Sequence, residues 1–267
     1  MLIFVFQLSK ALTKWVPNPV TTQITRKSVE RFVNKSLKRI GVEVLDMLQF
    51  HWWDYSDKRY LDALNYLAEL QEEGKILELS LTNFNTEHLE KIIAKGIKIS
   101  SNQVQFSLID QRPLLRMVPF CEANGIKLLT YGTLGGGLLT DRYIGSHEPV
   151  TQKELNTASL RKYKQMIDAW GGWKLFQELL EVLSGIAKEH NVSIANVAKR
   201  YILEQPAVAG VIVGCRFGVP GANHIEDNMK VFDLTLEKSD IERLNLIFKK
   251  GNDLFLSTGD CGDEYRK

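Results

Sequence analysis

The sequence predicts an α/β chain built on a parallel sheet, and three observations carry that prediction. Short apolar runs alternate with amphipathic helical patterns across residues 11–248, and a strand, a crossover helix and another strand pair in parallel with right-handed connections. The run VLDMLQFHW is entered almost without polar residues, as a buried parallel strand is. No strand is followed by the phosphate fingerprint G-x-G-x-x-G. That absence lowers an open doubly wound sheet relative to an incomplete (β/α)8 barrel, and periodicity alone does not choose between them.

The elements follow in order. ALTKW is a short strand halted by Pro17 and Pro19. TRKSVERFVNKSLKRI is a helix with Val29, Phe32, Val33, Leu37 and Ile40 on one stripe, capped by Thr25 and ended by Gly41. VLDMLQFHW is the next strand. YLDALNYLAELQEEG is a helix with Leu61, Leu64, Leu67 and Ala68 inward and Gly74 past its end. ILELSLTN, SSNQVQF and IKLLTY are strands separated by the helices TEHLEKIIAKG and RPLLRMVPFCEANG. Residues 132–160 read as a loop with a glycine run at Gly135, Gly136 and Gly137. The helices FQELLEVLSGIAKEHN and SIANVAKRYILEQP follow, the second capped by Ser193 and closed before Pro206. VAGVIVG is the sixth strand, GANHIEDNMKVF opens a helix, and EKSDIERLNLIFKKG is the last one. Residues 250–267 read as an irregular tail and residues 1–10 as an atypical opening segment.

The length of 267 residues suits one barrel domain spanning 1–267, since such a domain typically takes about 250. A net charge of +2 gives no reason to expect nucleic acid or a membrane as partner. Cys121, Cys215 and Cys261 are too few and too scattered for a disulfide framework or a metal site, and suit a reducing compartment. The apolar opening MLIFVFQL lacks the basic start and small-residue cleavage site of a secretory signal. The expected location is therefore cytoplasmic, with a plastid or other organelle left open.

Chemistry in a βα barrel gathers where strands end. The residues at those ends are Lys14, His51, Thr82 with Asn83, Gln103, Tyr131, and Gly214 with Arg216. A single His or Lys in such a place is most often structural or solvated; six polar or special strand ends together are a different matter. In order, TKW, LQFHWWD, LSLTNF, NQVQFSL, TYGTLGGGLL and VIVG…IEDN resemble the aldo-keto reductase family over residues 11–248. The resemblance implies a (β/α)8 barrel, here with about six of its eight βα units, and NADP(H)-dependent reduction of an aldehyde or ketone.

The same resemblance implies the roles. Lys14 matches the lysine that lowers the pKa of a neighbouring proton-donor tyrosine, and His51 the histidine that orients the carbonyl. Thr82, Asn83 and Gln103 would hydrogen-bond the nicotinamide carboxamide, which needs donors and acceptors together, and Tyr131 would stack on the nicotinamide ring. Gly132, Thr133, Leu134 and Gly135, with the glycines after them, would offer backbone N–H groups to the pyrophosphate. Gly214, Arg216, His224, Asp227 and Asn228 would hold the adenosine end, with Arg216 on the 2′-phosphate. His224 stands where many relatives carry arginine, which puts more of the NADP preference on Arg216.

The family's barrel has two βα units before its lysine strand, carrying an Asp and a Tyr, whereas only thirteen residues precede Lys14. The chain is therefore expected to be truncated, to lack its general acid, and to self-associate through an open barrel edge. A non-catalytic NADP-binding or regulatory protein of the same fold is the alternative to a small-molecule carbonyl reductase.

Overall fold

The computed structural model describes residue 10, residues 12–215 and residues 224–266. Residues 1–9 of the opening segment, and Arg216, lie outside the described residues. The chain forms two compact units. The first holds the chain through Val104, then Phe120–Leu128 and the C-terminal residues from Cys261; the second holds Gln105–Pro119 and Leu129–Asp260.

The first unit is built from β1 (Leu12–Trp15), α1 (Arg26–Ile40), β2 (Leu45–His51), α2 (Arg59–Glu72), β3 (Ile76–Thr82), α3 (Thr86–Ala94) and most of β4 (Ser101–Gln105). The strands run parallel, and their register sets Lys14 opposite Gln49, His51 opposite Thr82, and Thr82 opposite Gln103. Alternate residues of a strand point to opposite faces. Leu48, Phe50, Leu79 and Leu81 are therefore buried on one face, in a core shared with Val29, Val33, Leu64, Leu67, Leu89 and Ile92. Gln49, His51, Ser80 and Thr82 take the other face.

The predicted helix signals act as expected here. The Thr25 side chain accepts from the Ser28 N–H and the Ser28 side chain accepts from the Thr25 N–H, while the Gly41 N–H closes α1 on the Leu37 carbonyl. Arg26 pairs with Glu69 and Glu73, and Lys75 with Glu30, which ties α1 to α2. The pairs are half-exposed, so each contributes about 0–1 kcal/mol. One expectation fails locally: Ile40 is exposed rather than inward, because it lies on the last turn of α1. On the flank of β1, Leu12 and Val16 are also exposed and Val20 is 90% exposed.

The remaining elements are α4 (Met117–Ala123), β5 (Lys127–Tyr131), α5 (Ala158–Trp170), α6 (Gly172–Glu189), α7 (Ile194–Leu203), β6 (Val208–Val211), α8 (Ile225–Met229), α9 (Lys238–Phe248) and α10 (Leu254–Thr258). Strand neighbours follow sequence order, β1-β2-β3-β4-β5-β6. Four features differ from the sequence reading. RPLLRMVPFCEANG is a 3-10 turn at Arg112–Leu114 followed by the short α4, because Pro119 is tolerated only in a first turn, where its missing N–H has no partner to lose. The loop expected through residue 160 ends earlier, at α5, which Thr157 caps by accepting from the Leu160 N–H. The sixth strand is only four residues long. The tail is not irregular: it carries α10 and a 3-10 turn at Asp263–Tyr265, with Cys261 buried. Among the described residues no helix is long and apolar enough to cross a membrane.

Candidate functional site

On the first unit, the face opposite the apolar core gathers the catalytic candidates. Lys14 Nζ donates to Gln103 Oε1 at 2.7 Å, and desolvation around the ammonium lowers its pKa. Gln103 Nε2 in turn donates to Gln49 Oε1 at 3.1 Å. Three side chains from β1, β2 and β4 thus form one polar relay. Gln49 was not among the residues the sequence singled out. Its signal was available: it lies two residues before His51 in LDMLQFH and so shares that residue's face.

His51 is 3% exposed, and its Nδ1 lies 2.9 Å from the Thr82 carbonyl. A carbonyl only accepts, so Nδ1 carries the proton and Nε2 bears a lone pair in the neutral ring. That Nε2 atom is buried and has no hydrogen-bond partner. Burial first, then the Arg266 and Lys14 charges, depress the His51 pKa to about 4, so the ring is neutral at pH 7. Thr82 Oγ1 and Gln49 Nε2 are likewise buried and unpartnered. Three adjacent polar atoms without partners are costly in a folded interior unless a ligand meets them. Asn83 adopts φ 56, a left-handed conformation that asparagine tolerates better than most residues, and its N–H donates to the Gln103 carbonyl at 2.9 Å.

The C-terminal residues join this unit, a placement no sequence signal announced. Tyr265 approaches His51 edge-on, with ring centroids 6.4 Å apart. The Arg266 guanidinium lies 3.9 Å over the Tyr55 ring and donates to the Trp52 carbonyl at 3.0 Å. Asn85 Nδ2 donates to Asp263 Oδ1 at 2.8 Å. Together with Trp53, Asp54 and Ser56, the Tyr55, Asp263, Tyr265 and Arg266 side chains line a cleft of about 590 Å³. Tyr55 is spent on structure: its hydroxyl accepts from the Asn85 N–H at 3.0 Å, its ring stacks on His88 at 3.5 Å, and burial pushes its pKa up.

The second unit holds the other candidates. Tyr131 is half-buried, with the Lys162 ammonium 5.6 Å from its ring centroid. Gly132 has φ +72, and a Cβ there would clash with the Tyr163 hydroxyl and ring, so glycine is favoured at this position. Thr133 Oγ1 donates to the Phe106 carbonyl at 2.9 Å. That commits the hydroxyl and leaves the backbone as what Thr133 offers a ligand. Leu134 is half-buried and Gly135 buried. Gly214 and His224 are exposed. Asp227 accepts from Ser193 Oγ at 2.8 Å and from Asn196 Nδ2 at 3.2 Å, and Asn228 Oδ1 accepts from Lys199 Nζ at 2.6 Å. Lys199, also missed by the sequence reading, is 2% exposed, and burial lowers its pKa.

A nicotinamide cofactor fits this chemistry at two places. Thr82 Oγ1 is an unpartnered hydroxyl suited to a carboxamide, which both donates and accepts. Positive φ at Gly132, Gly135, Gly136 and Gly137 folds one tight loop; the Gly135 and Gly137 N–H groups close it on the Gly132 and Leu134 carbonyls, and glycine lets an anion approach the remaining backbone closely.

The aldo/keto reductase family model matches residues 10–248. The chain belongs to that family. Among its relatives, a chloroplastic pyridoxal reductase of Arabidopsis thaliana is 28% identical over 209 residues, 74% of this chain and 52% of the relative. A Bacillus subtilis aldo-keto reductase, YhdN, is 25% identical over 252 residues, 90% of this chain and 69% of the relative. A flagellar radial spoke protein 5 of Chlamydomonas reinhardtii is 28% identical over 179 residues, 61% of this chain and 34% of the relative. The chain thus spans about half or less of two of these curated relatives. The glycerol dehydrogenase structure from Gluconobacter oxydans superposes with a TM-score of 0.71 at 20% identity, covering 91% of this chain and 72% of that one. That likeness fixes the fold: the parallel α/β arrangement is that of the aldo-keto reductase (β/α)8 barrels.

Proposed function

We propose that this chain is an NADP(H)-dependent reductase of a small aldehyde or ketone. The observation that carries the reading is the convergence of Lys14, His51, Thr82 and Gln103 on one sheet face beside buried polar atoms that lack partners. A bound reduced nicotinamide supplies the hydride. Thr82 and Asn83 hold the carboxamide, and Gln103 joins them through the N–H and lone pair that its bonds to Lys14 and Gln49 leave over. The glycines from Gly132 to Gly137 face the pyrophosphate, and Tyr131 covers the nicotinamide ring. Gly214, His224, Asp227 and Asn228 serve the adenosine end, the last two already oriented by Ser193, Asn196 and Lys199.

His51 orients the substrate, though not by a direct bond to its carbonyl oxygen. With Nδ1–H committed to Thr82, neutral His51 presents an acceptor at Nε2, so it positions a substrate through a hydroxyl or a water that donates to it. Lys14, the ammonium on this face, would give or relay the proton that the nascent alkoxide needs. The test is NADPH binding by fluorescence quenching, followed by steady-state oxidation with a nitrobenzaldehyde. Saturable binding with turnover supports the reading, and no binding overturns it. Arg216→Ala narrows the preference for NADPH over NADH if Arg216 holds the 2′-phosphate; an unchanged preference removes it from that role.

One observation favours a second reading, a non-catalytic NADP-binding member. Lys14 is bonded to an amide rather than to a phenol, and the Tyr55 hydroxyl is spent on the Asn85 backbone. Tight NADPH binding without turnover selects that reading. We also propose self-association through the exposed Leu12, Val16 and Val20 flank, to be checked by sedimentation.

A further inference from the structure

We infer that Gln49 is a positioning residue for Lys14, acting through Gln103. The parallel register places Gln49 directly opposite Lys14 on the neighbouring strand, yet the two do not bond to each other as a pair. Instead the Gln103 amide bridges them: its oxygen accepts from the ammonium at 2.7 Å and its nitrogen donates to the Gln49 oxygen at 3.1 Å. The order of donors follows from chemistry. An ammonium can only donate, so the Gln103 oxygen must face Lys14, and its NH2 must then face an acceptor. Gln49 supplies that acceptor by turning its own oxygen toward Gln103, which leaves the Gln49 NH2 buried without a partner.

A side chain 2% exposed that keeps a donor unsatisfied in order to present an acceptor has its direction imposed by what it serves. Were Gln49 to flip, its NH2 would meet the Gln103 NH2, and the Gln103 amide would lose the interaction that points its oxygen at Lys14. Gln49 therefore sets the sense of the relay, and the relay sets how the Lys14 charge is stabilised. The inference rests on the reading of Lys14 as the functional lysine, but its test needs no turnover.

The experiment is an NMR titration of the full chain after reductive 13C-methylation of its lysines, with the Lys14 resonance assigned by its loss in Lys14→Arg. Gln49→Leu removes the acceptor, and the Lys14 pKa falls by about one unit, because a hydrogen bond to the charged form no longer favours it. Gln49→Glu keeps an acceptor for Gln103, removes the unsatisfied donor, and holds the Lys14 pKa at or above the parent value. It also serves as the polar variant should the leucine fail to fold. A Lys14 titration unmoved by Gln49→Leu, or lowered equally by both substitutions, overturns the inference. A shifted titration in a chain that never oxidises NADPH counts against the reductase reading alone.

Discussion

The two units present their candidate residues by different means. In the first, the proposed function rests on side chains whose directions the β1–β4 register dictates: Lys14, Gln49, His51, Thr82 and Gln103 share one face because parallel strands place them side by side. In the second it would rest largely on backbone, at glycines of positive φ, and on two side chains, Asp227 and Asn228, gripped by residues near and on α7. The difference teaches where each half is vulnerable. Side-chain substitutions in the first unit change chemistry and proton affinity, whereas substitutions in the second act first on conformation.

The largest effect sharpens the first side of that contrast. Lys14→Ala lowers NADPH-dependent aldehyde reduction by about 10²–10⁴-fold, the usual worth of a positioned proton-transfer system, with little change in thermal midpoint because Lys14 is exposed. Steady-state kinetics and a melting curve check both halves; equal rates with and without the amine place the chemistry elsewhere.

A pH experiment comes next. His51 has a folded pKa of about 4 against 6.5 unfolded, so below pH 6.5 the unfolded chain takes up a proton that the folded chain refuses. Stability is therefore full above about pH 6.5 and falls as pH drops toward 4. The loss attributable to this one group is roughly 3 kcal/mol, from a shift of about 2.5 units. His51→Gln should flatten the urea-unfolding free energy between pH 7 and 4.5 relative to the parent, although His88, also depressed to about 4 mainly by burial, keeps a slope of its own. An identical slope in variant and parent would show that His51 is not held neutral.

For the second unit the expected effect is conformational. Gly132→Ala forces a Cβ into the Tyr163 ring at a left-handed φ, costing about 1–3 kcal/mol of stability. Gly137→Ala is also left-handed but meets nothing within 4 Å, so it costs less, about 1–2 kcal/mol. Denaturant midpoints that rank the two in the opposite order would break the backbone account.

The smallest effect belongs to the C-terminal residues. Arg266→Ala removes a guanidinium stacked on Tyr55 and bonded to Trp52, and should cost on the order of 1 kcal/mol. A melting temperature equal to that of the parent would mean the tail is not anchored by this residue.

Much of the architecture was legible in the sequence because it depends on local patterns. Apolar periodicity gave the strands and most helices, Thr25 and Ser193 marked helix starts, and Gly41 marked a stop, since capping is settled within a few residues. The strand-end residues Lys14, His51, Thr82 and Gln103 were legible for a related reason: a polar residue ending an apolar run is conspicuous. What only the tertiary structure decided was who meets whom. Gln49 looked like one more strand residue until register set it opposite Lys14. That the Thr133 hydroxyl is committed to the Phe106 carbonyl, leaving only its backbone for a ligand, could not be read from its neighbours in sequence. The tail looked irregular until it was seen against Tyr55 and beside His51. The physical reason is common to all three. Periodicity reports which face a residue takes, but the partner of a polar atom is fixed by strand register and by chain segments remote in sequence, and neither is written in any local stretch of the chain.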